Sequence, residues 1–150
     1  MSARVSAAVV AITVFVLMGM GSADYVRDAA ERVKAADWTK MKTVSVTQKE
    51  HAFAPSTLVF REGVPYKLVI TNKGASKHYF TAENFFKAIA TRKVQNTDGE
   101  IKAPYFKALE VFPGRSMELY FIPVKKGTYN FLCTIEGHAE HGMKGHIRIE

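Results

Sequence analysis

Three residues close to the C-terminus could act together on a metal ion: Cys133, His138 and Met143, each five positions after the last. Gly137 and Gly142 sit between them and allow the segment to bend tightly. A thiolate, an imidazole and a thioether make a soft donor set. Zinc and calcium sites do not ask for methionine. Two histidines and one cysteine around a weak axial methionine describe a blue-copper site. Such a site needs a second histidine from elsewhere. His78 is the natural candidate, because it comes after the turn signal Asn72-Lys73-Gly74 and opens the short apolar stretch Tyr79-Phe80.

Cys133 is the only cysteine, so an intramolecular disulfide, a four-cysteine zinc site and a Cys-x-x-Cys redox motif are all excluded. A lone cysteine is often a small buried hydrophobe. The histidine and methionine at loop spacing turn the reading towards a ligand. Three further histidines need placing. His141 stands in the same loop and could compete with His138 as an equatorial ligand or serve as a secondary one. His51 lies in a polar segment and is expected at the surface. His146 should point outward by parity against Ile147 and Ile149. His138, His141 and His146 are close enough in sequence for a weaker second copper site near the first. No Ser-His-Asp order, paired-carboxylate motif or phosphate loop stands out, which argues against hydrolysis and phosphoryl transfer.

The elements that must position these residues are mostly strands. From residue 43 the apolar pattern has a period of two. Val44 and Val46 share a face. Tyr66, Leu68 and Ile70 alternate with Lys67, Val69 and Thr71, and Met117, Leu119 and Phe121 come after the turn Pro113-Gly114. Tyr129, Phe131 and Cys133 share one face of a strand entered through Gly127, so the sulfur should point between the sheets. Short strands separated by turn signals indicate an all-β antiparallel sandwich or barrel of about seven or eight strands. Glu83–Ala90 is helix-compatible, and 91–104 carries the loop signals Asn96-Thr97-Asp98-Gly99 and Pro104. The stretch 82–104 is therefore expected to be a helical and loop insertion between strands. Ahead of the strands, Val26, Ala29, Ala30 and Val33 fall at helical spacing in 24–37, with Asp24 as a candidate N-cap.

Residues 1–23 carry Arg4, then an uncharged apolar run from Val5 to Met18, then Gly21-Ser22-Ala23. That is the pattern of a signal peptide cleaved after Ala23, and the run falls short of the ~20 residues of a membrane span. Three units are thus expected: a signal peptide at 1–23, a helical segment at 24–42 and a globular domain at 43–150. The body of the protein should lie outside the cytoplasm. The chain carries 21 Lys and Arg against 14 Asp and Glu, a net charge of +7. The basic residues are scattered in runs no longer than two, which speaks against a nucleic-acid stripe.

The pattern Asn72…His78…Cys133-x4-His138-x4-Met143, with the opening Phe53-Ala-Pro55-Ser-Thr-Leu58 and Gly63, resembles the cupredoxins, the small type 1 blue-copper family. The resemblance covers roughly 43–150. It implies a Greek-key β-sandwich and one copper ion, bound by ring nitrogens of His78 and His138, by Cys133 as thiolate and by Met143 axially. Gly137-His138 is similar to the family's usual loop, which favours His138 over His141. Members such as azurin carry Asn directly after the first histidine ligand. Tyr79 stands there in this chain, so the resemblance does not supply that neighbour's hydrogen bond to the sulfur. More narrowly, the chain looks like small periplasmic bacterial cupredoxins, some of them linked to copper tolerance. The implied function is single-electron transfer by Cu(I)/Cu(II) cycling in the periplasm, by a monomer with a redox partner protein, with no membrane association after signal cleavage and no enzyme activity of its own. The alternative is a protein that sequesters or oxidises copper for tolerance without a dedicated electron-transfer partner.

Overall fold

The computed structural model describes residues 24–150, so the signal peptide expected at 1–23 lies outside the described residues. Alternation of apolar and polar residues produces two sheets that bury their facing sides. The first sheet has the order β2 (Ala52–Ala54), β1 (Lys42–Lys49), β4 (Tyr66–Asn72), β9 (Ser116–Pro123), β6 (Ile89–Asn96), β7 (Gly99–Ile101). The second has the order β3 (Thr57–Phe60), β11 (Lys144–Ile149), β10 (Gly127–Leu132), β5 (His78–Thr81), β8 (Ala108–Val111). Most pairings are antiparallel, but β1 runs parallel to β4 and β3 parallel to β11. The chain passes from one sheet to the other between β2 and β3, which gives the crossed topology of a sandwich.

The period-two strands read in the sequence are present. In β4, Tyr66, Leu68 and Ile70 are buried and the residues between them half-buried. In β11, Ile147 and Ile149 face in while Arg148 faces out. Between the sheets lies a packed aromatic layer. Phe60 meets Phe121 edge-on at 5.0 Å and Tyr66 at 4.9 Å. At the other end Phe80 stacks on Phe131 at 4.8 Å, and Phe53 meets Phe131 edge-on at 4.9 Å. Such pairs add about 0.5–1.5 kcal/mol each beyond the area they bury.

Two local expectations are corrected. The stretch 82–104 is not an insertion. The helix expected over Glu83–Ala90 is confined to Glu83–Phe86, and Ile89–Asn96 is a long strand inside the six-stranded sheet, paired with β9 and β7. The loop signal at Asn96–Gly99 is the turn of the β6–β7 hairpin, where the Asn96 side chain accepts the N–H groups of Asp98 and Gly99. The N-terminal helix is also shorter than its pattern. It spans Ala29–Ala35 with Asp28, not Asp24, at its start, and none of its seven residues is buried. Trp38 ties the helix to the sheet. Its indole N–H donates to the Val33 carbonyl at 2.9 Å, and its ring lies under the Arg92 guanidinium at 4.5 Å. The eleven strands among the described residues exceed the seven or eight expected because β6 lies in the stretch read as an insertion, and β2 and β7, each of three residues, are too short to show a period.

Candidate metal centre

The site sits at one end of the sandwich, where β5 begins, β10 ends and the β10–β11 connection folds over both. His78 is the first residue of β5, held in register with Val111 of β8. Alternation puts His78 and Phe80 on the buried face of that strand. Cys133 comes after Leu132 at the end of β10 on the same face as Phe131, and its side chain is fully buried. The parity argument for an inward sulfur therefore holds.

The connection to β11 is closed by its own backbone. Cys133 donates its N–H to the Met143 carbonyl at 3.0 Å, and Met143 donates to the His138 carbonyl at 2.9 Å. Gly137 and Gly142 both take positive φ, 78° and 105°, which a side chain would strain. The loop thereby returns on itself, and Met143 arrives fully buried beside Cys133, just past the end of β10.

His78, Cys133 and His138 present one ligand atom each, all within 4.8 Å of one another. The Cys133 Sγ lies 3.9 Å from His78 Nδ1 and 3.5 Å from His138 Nδ1. An ion with bonds of about 2.0–2.3 Å in a trigonal plane needs donors roughly 3.5–4 Å apart. The donor set fits a single type 1 copper in chemistry as well, with two imidazoles, one thiol and a buried thioether from Met143.

Supporting contacts orient these donors. The Tyr79 backbone N–H donates to Cys133 Sγ at 3.4 Å. That bond comes from the main chain, so it does not require asparagine at position 79, and the departure from the family's usual residue leaves it intact. The Tyr79 hydroxyl points away and donates to Glu110 at 2.9 Å. Glu50, in the β1–β2 turn, accepts the N–H groups of Ala75 at 2.5 Å and Ser76 at 3.0 Å, and its carboxylate reaches to 3.7 Å from His78 Nε2. His78 Nε2 is buried and has no hydrogen-bond partner. A carboxylate on that side favours the proton on Nε2 and leaves the Nδ1 lone pair facing the sulfur. Burial pushes the His78 imidazolium below its ordinary range, with His138 acting in the same direction and Glu50 opposing. The neutral ring that a metal ligand requires is thus the favoured form. Main-chain N–H groups, that of Ser76 foremost, hold the Glu50 carboxyl below the usual range. Gly74 makes room for this, since a Cβ there would stand 2.5 Å from Glu50 Oε1.

Asn72 braces the segment that leads to His78. Its fully buried amide donates to the Ser76 and Val111 carbonyls, both at 2.8 Å, and its oxygen accepts the Gly74 N–H at 2.8 Å. Asn72→Ala leaves two carbonyls and one N–H without their partner. It is expected to lower the unfolding free energy by about 2–3 kcal/mol, measured by denaturant unfolding of the copper-free protein. A loss below about 0.5 kcal/mol, the range of a neutral surface change, would show that the brace is dispensable.

The other histidines divide. His146 is exposed on β11 and bonds to Asn130 at 2.9 Å, on a strand face turned away from the core. His141 is exposed, and its Nδ1 lies 2.5 Å from the Gly137 carbonyl. His51 is exposed as the sequence suggests, yet its ring lies 5.0 Å from that of His138 and 4.9 Å from that of His141. Sequence reasoning misses Glu50 and His51 as neighbours of the site because no local spacing links them to it. The pairing of β1 with β4 and of β1 with β2 carries their turn there.

The cupredoxin-like domain family model matches residues 9–147. The chain belongs to the cupredoxin-like family. The copper-resistant cuproprotein CopI of Rubrivivax gelatinosus is 28% identical over 109 residues, covering 72% of this chain. The chain spans 66% of the length of that relative. Among solved structures, the dithionite-reduced auracyanin of the photosynthetic bacterium Roseiflexus castenholzii superposes with a TM-score of 0.51 at 22% identity, over 72% of this cupredoxin and 96% of auracyanin. The copper nitrite reductase of Nitrosomonas europaea gives a TM-score of 0.57 at 14% identity, over 72% of this chain and 48% of the reductase. At these identities both structures speak for the fold. Among the described residues no helix is long and apolar enough to cross a membrane.

Proposed function

We propose that this cupredoxin is a periplasmic type 1 copper protein in which His78 and His138 bind through Nδ1, Cys133 as thiolate and Met143 axially, and that it passes single electrons in the service of copper tolerance. The observation that carries this reading is the trio of His78, Cys133 and His138 donor atoms within 4.8 Å of one another at a buried sulfur. Copper bound there supplies one-electron chemistry between its Cu(I) and Cu(II) states. The protein's part is to hold the donors still. His78 is fixed by β5, Cys133 by the end of β10, and His138 and Met143 by the backbone bonds that close their loop. His138 is the half-buried member of the trio, so electrons would pass in and out through its exposed edge. Residues 1–23 would direct export as a cleaved signal peptide, residues 24–42 would form a helical lead and 43–150 the copper domain.

The assignment of His138 rather than His141 has a direct test. His138→Ala is expected to destroy the type 1 visible and paramagnetic-resonance spectrum, whereas His141→Ala leaves it largely intact. The reverse pattern would move the equatorial ligand to His141.

The tolerance role draws on the likeness to a protein named for copper resistance. A strain lacking the gene is expected to grow normally at low copper and poorly under copper stress. The wild-type gene should rescue it, and the Cys133→Ser gene should not. A respiratory defect at low copper would instead mark a dedicated electron carrier. Absence of copper sensitivity in every condition would remove the tolerance role. A second reading is a protein that sequesters or oxidises copper with no electron-transfer partner. The exposed histidines His51 and His141 beside the site favour it. Rescue by a Cys133→Ser gene would support that reading.

A further inference from the structure

Four imidazoles form a continuous series from solvent to the sulfur. The exposed rings of His141 and His51 are 4.9 Å apart, His51 is 5.0 Å from His138, and His138 is 5.2 Å from the buried His78. The innermost pair already converges on one point beside Cys133. Two rings that share an ion through bonds of about 2 Å have centroids roughly 4.5–6 Å apart, and the outer pair lies in that range, with its ring planes 28° apart.

We propose that His51 and His141 form a second copper site, exposed and lying over the type 1 centre. Its occupant is a copper ion that reaches the protein from solution. The His141 ring is held by the contact of its Nδ1 with the Gly137 carbonyl, which places a proton on Nδ1 and leaves the Nε2 lone pair free. His51 stands in the turn between β1 and β2 at φ 58°, and its carbonyl oxygen is the nearest atom to the space beside Gly142. The turn is therefore seated against the ligand loop, and the two histidines come from independent elements fixed against each other. Glu50, next in the chain and half-exposed, brings a carboxylate to the same turn, with its Oε1 3.7 Å from His78 Nε2, and that negative charge favours a cation at this end of the sandwich. His146, bonded to Asn130 on β11, is not a member, so the second site differs from the His138, His141 and His146 grouping that sequence proximity suggests. The inference rests on the type 1 reading only for the identity of the ion.

The test is a titration of the purified, copper-free protein with copper(II) chloride, monitored by visible absorption and paramagnetic resonance. The first equivalent should give the type 1 spectrum. The second should add a separate, ordinary copper(II) signal split by imidazole nitrogens. His51→Gly suits the positive φ of the turn and should fold normally. His51→Gly and His141→Ala are each expected to weaken the second equivalent at least tenfold, and the double variant to abolish it, with the type 1 band of the first equivalent unchanged as the control for folding. A wild-type protein that shows the type 1 spectrum and binds one equivalent would overturn the second site and leave the type 1 reading standing. So would a second signal that survives in the double variant. A wild-type protein that shows only the ordinary signal, lost in the double variant, would uphold the second site and overturn the type 1 reading.

Discussion

Cys133→Ser is expected to erase the intense visible absorption of the copper(II) protein. That band needs charge transfer from a thiolate sulfur to the metal, and Cys133 is the only cysteine in the chain. Its Sγ lies between the two imidazoles and receives the Tyr79 N–H, so no other thiol can take its place. Serine keeps the shape of the side chain and offers an oxygen to the same N–H. The copper-free fold should then survive with a change of about 1 kcal/mol, read by thermal unfolding. Any copper that the histidines still hold should give a paramagnetic-resonance spectrum of the ordinary type. The expected size of the effect is essentially the whole of the visible band. A serine variant that keeps it at full strength would show that Cys133 is not the ligand.

The residues of the centre are legible in the sequence for a physical reason. Three of the four proposed donors are carried by one short segment, so their spacing records the loop that brings them together. His78 is legible because a turn signal and an apolar pair mark where β5 starts. Glu50 and His51 are not legible. They reach the site through strand pairing, β1 against β4 and β2 against β1, and pairing across a sheet leaves no regular interval in the chain. The hydrogen bond to the sulfur illustrates another limit. Judged by side chains, Tyr79 is a departure from the family. The donor is a main-chain N–H, whose position depends on the strand and not on the residue type.

Strand β6 escapes the sequence pattern for a cause of its own. Ile89, Ala90 and Val94 are buried, but the register against β9 shifts between Thr91 and Lys93. This bulge places Arg92 outside the ladder and interrupts the alternation that would announce a strand. Lys93 and Gln95 then bond to Glu100 and Glu118, so the segment reads as polar loop. Local period and local composition both point away from a strand, and the tertiary pairing with β9 decides the outcome.

Gly145→Ala is expected to be the most destabilising single-methyl change in the copper domain. Gly145 lies in β11 opposite Phe131 of β10, two residues after Met143. A Cβ there would fall well inside contact distance of the Ser56 carbonyl oxygen and of Phe131 Cζ, and 2.7 Å from Phe131 Cε1. Neither neighbour can yield cheaply. The Ser56 carbonyl is backbone and accepts the His146 N–H at 2.8 Å. Phe131 is wedged between Phe80 at 4.8 Å and Phe53 at 4.9 Å. Overpacking of this kind costs about 1–3 kcal/mol and more when backbone must move. A loss of about 3 kcal/mol is expected for the copper-free protein in denaturant unfolding. The displacement should also reach the metal, because β11 begins directly after Met143, whose carbonyl accepts the Cys133 N–H. The type 1 spectrum of the loaded variant should therefore shift as well. Gly99→Ala is the matched control, since a Cβ at that hairpin position meets nothing within 4 Å, and it should stay within about 0.5 kcal/mol of wild type. Equal stabilities for the two variants would mean that β11 can slide away from Ser56 and Phe131, and that the sheet does not hold the copper loop rigidly.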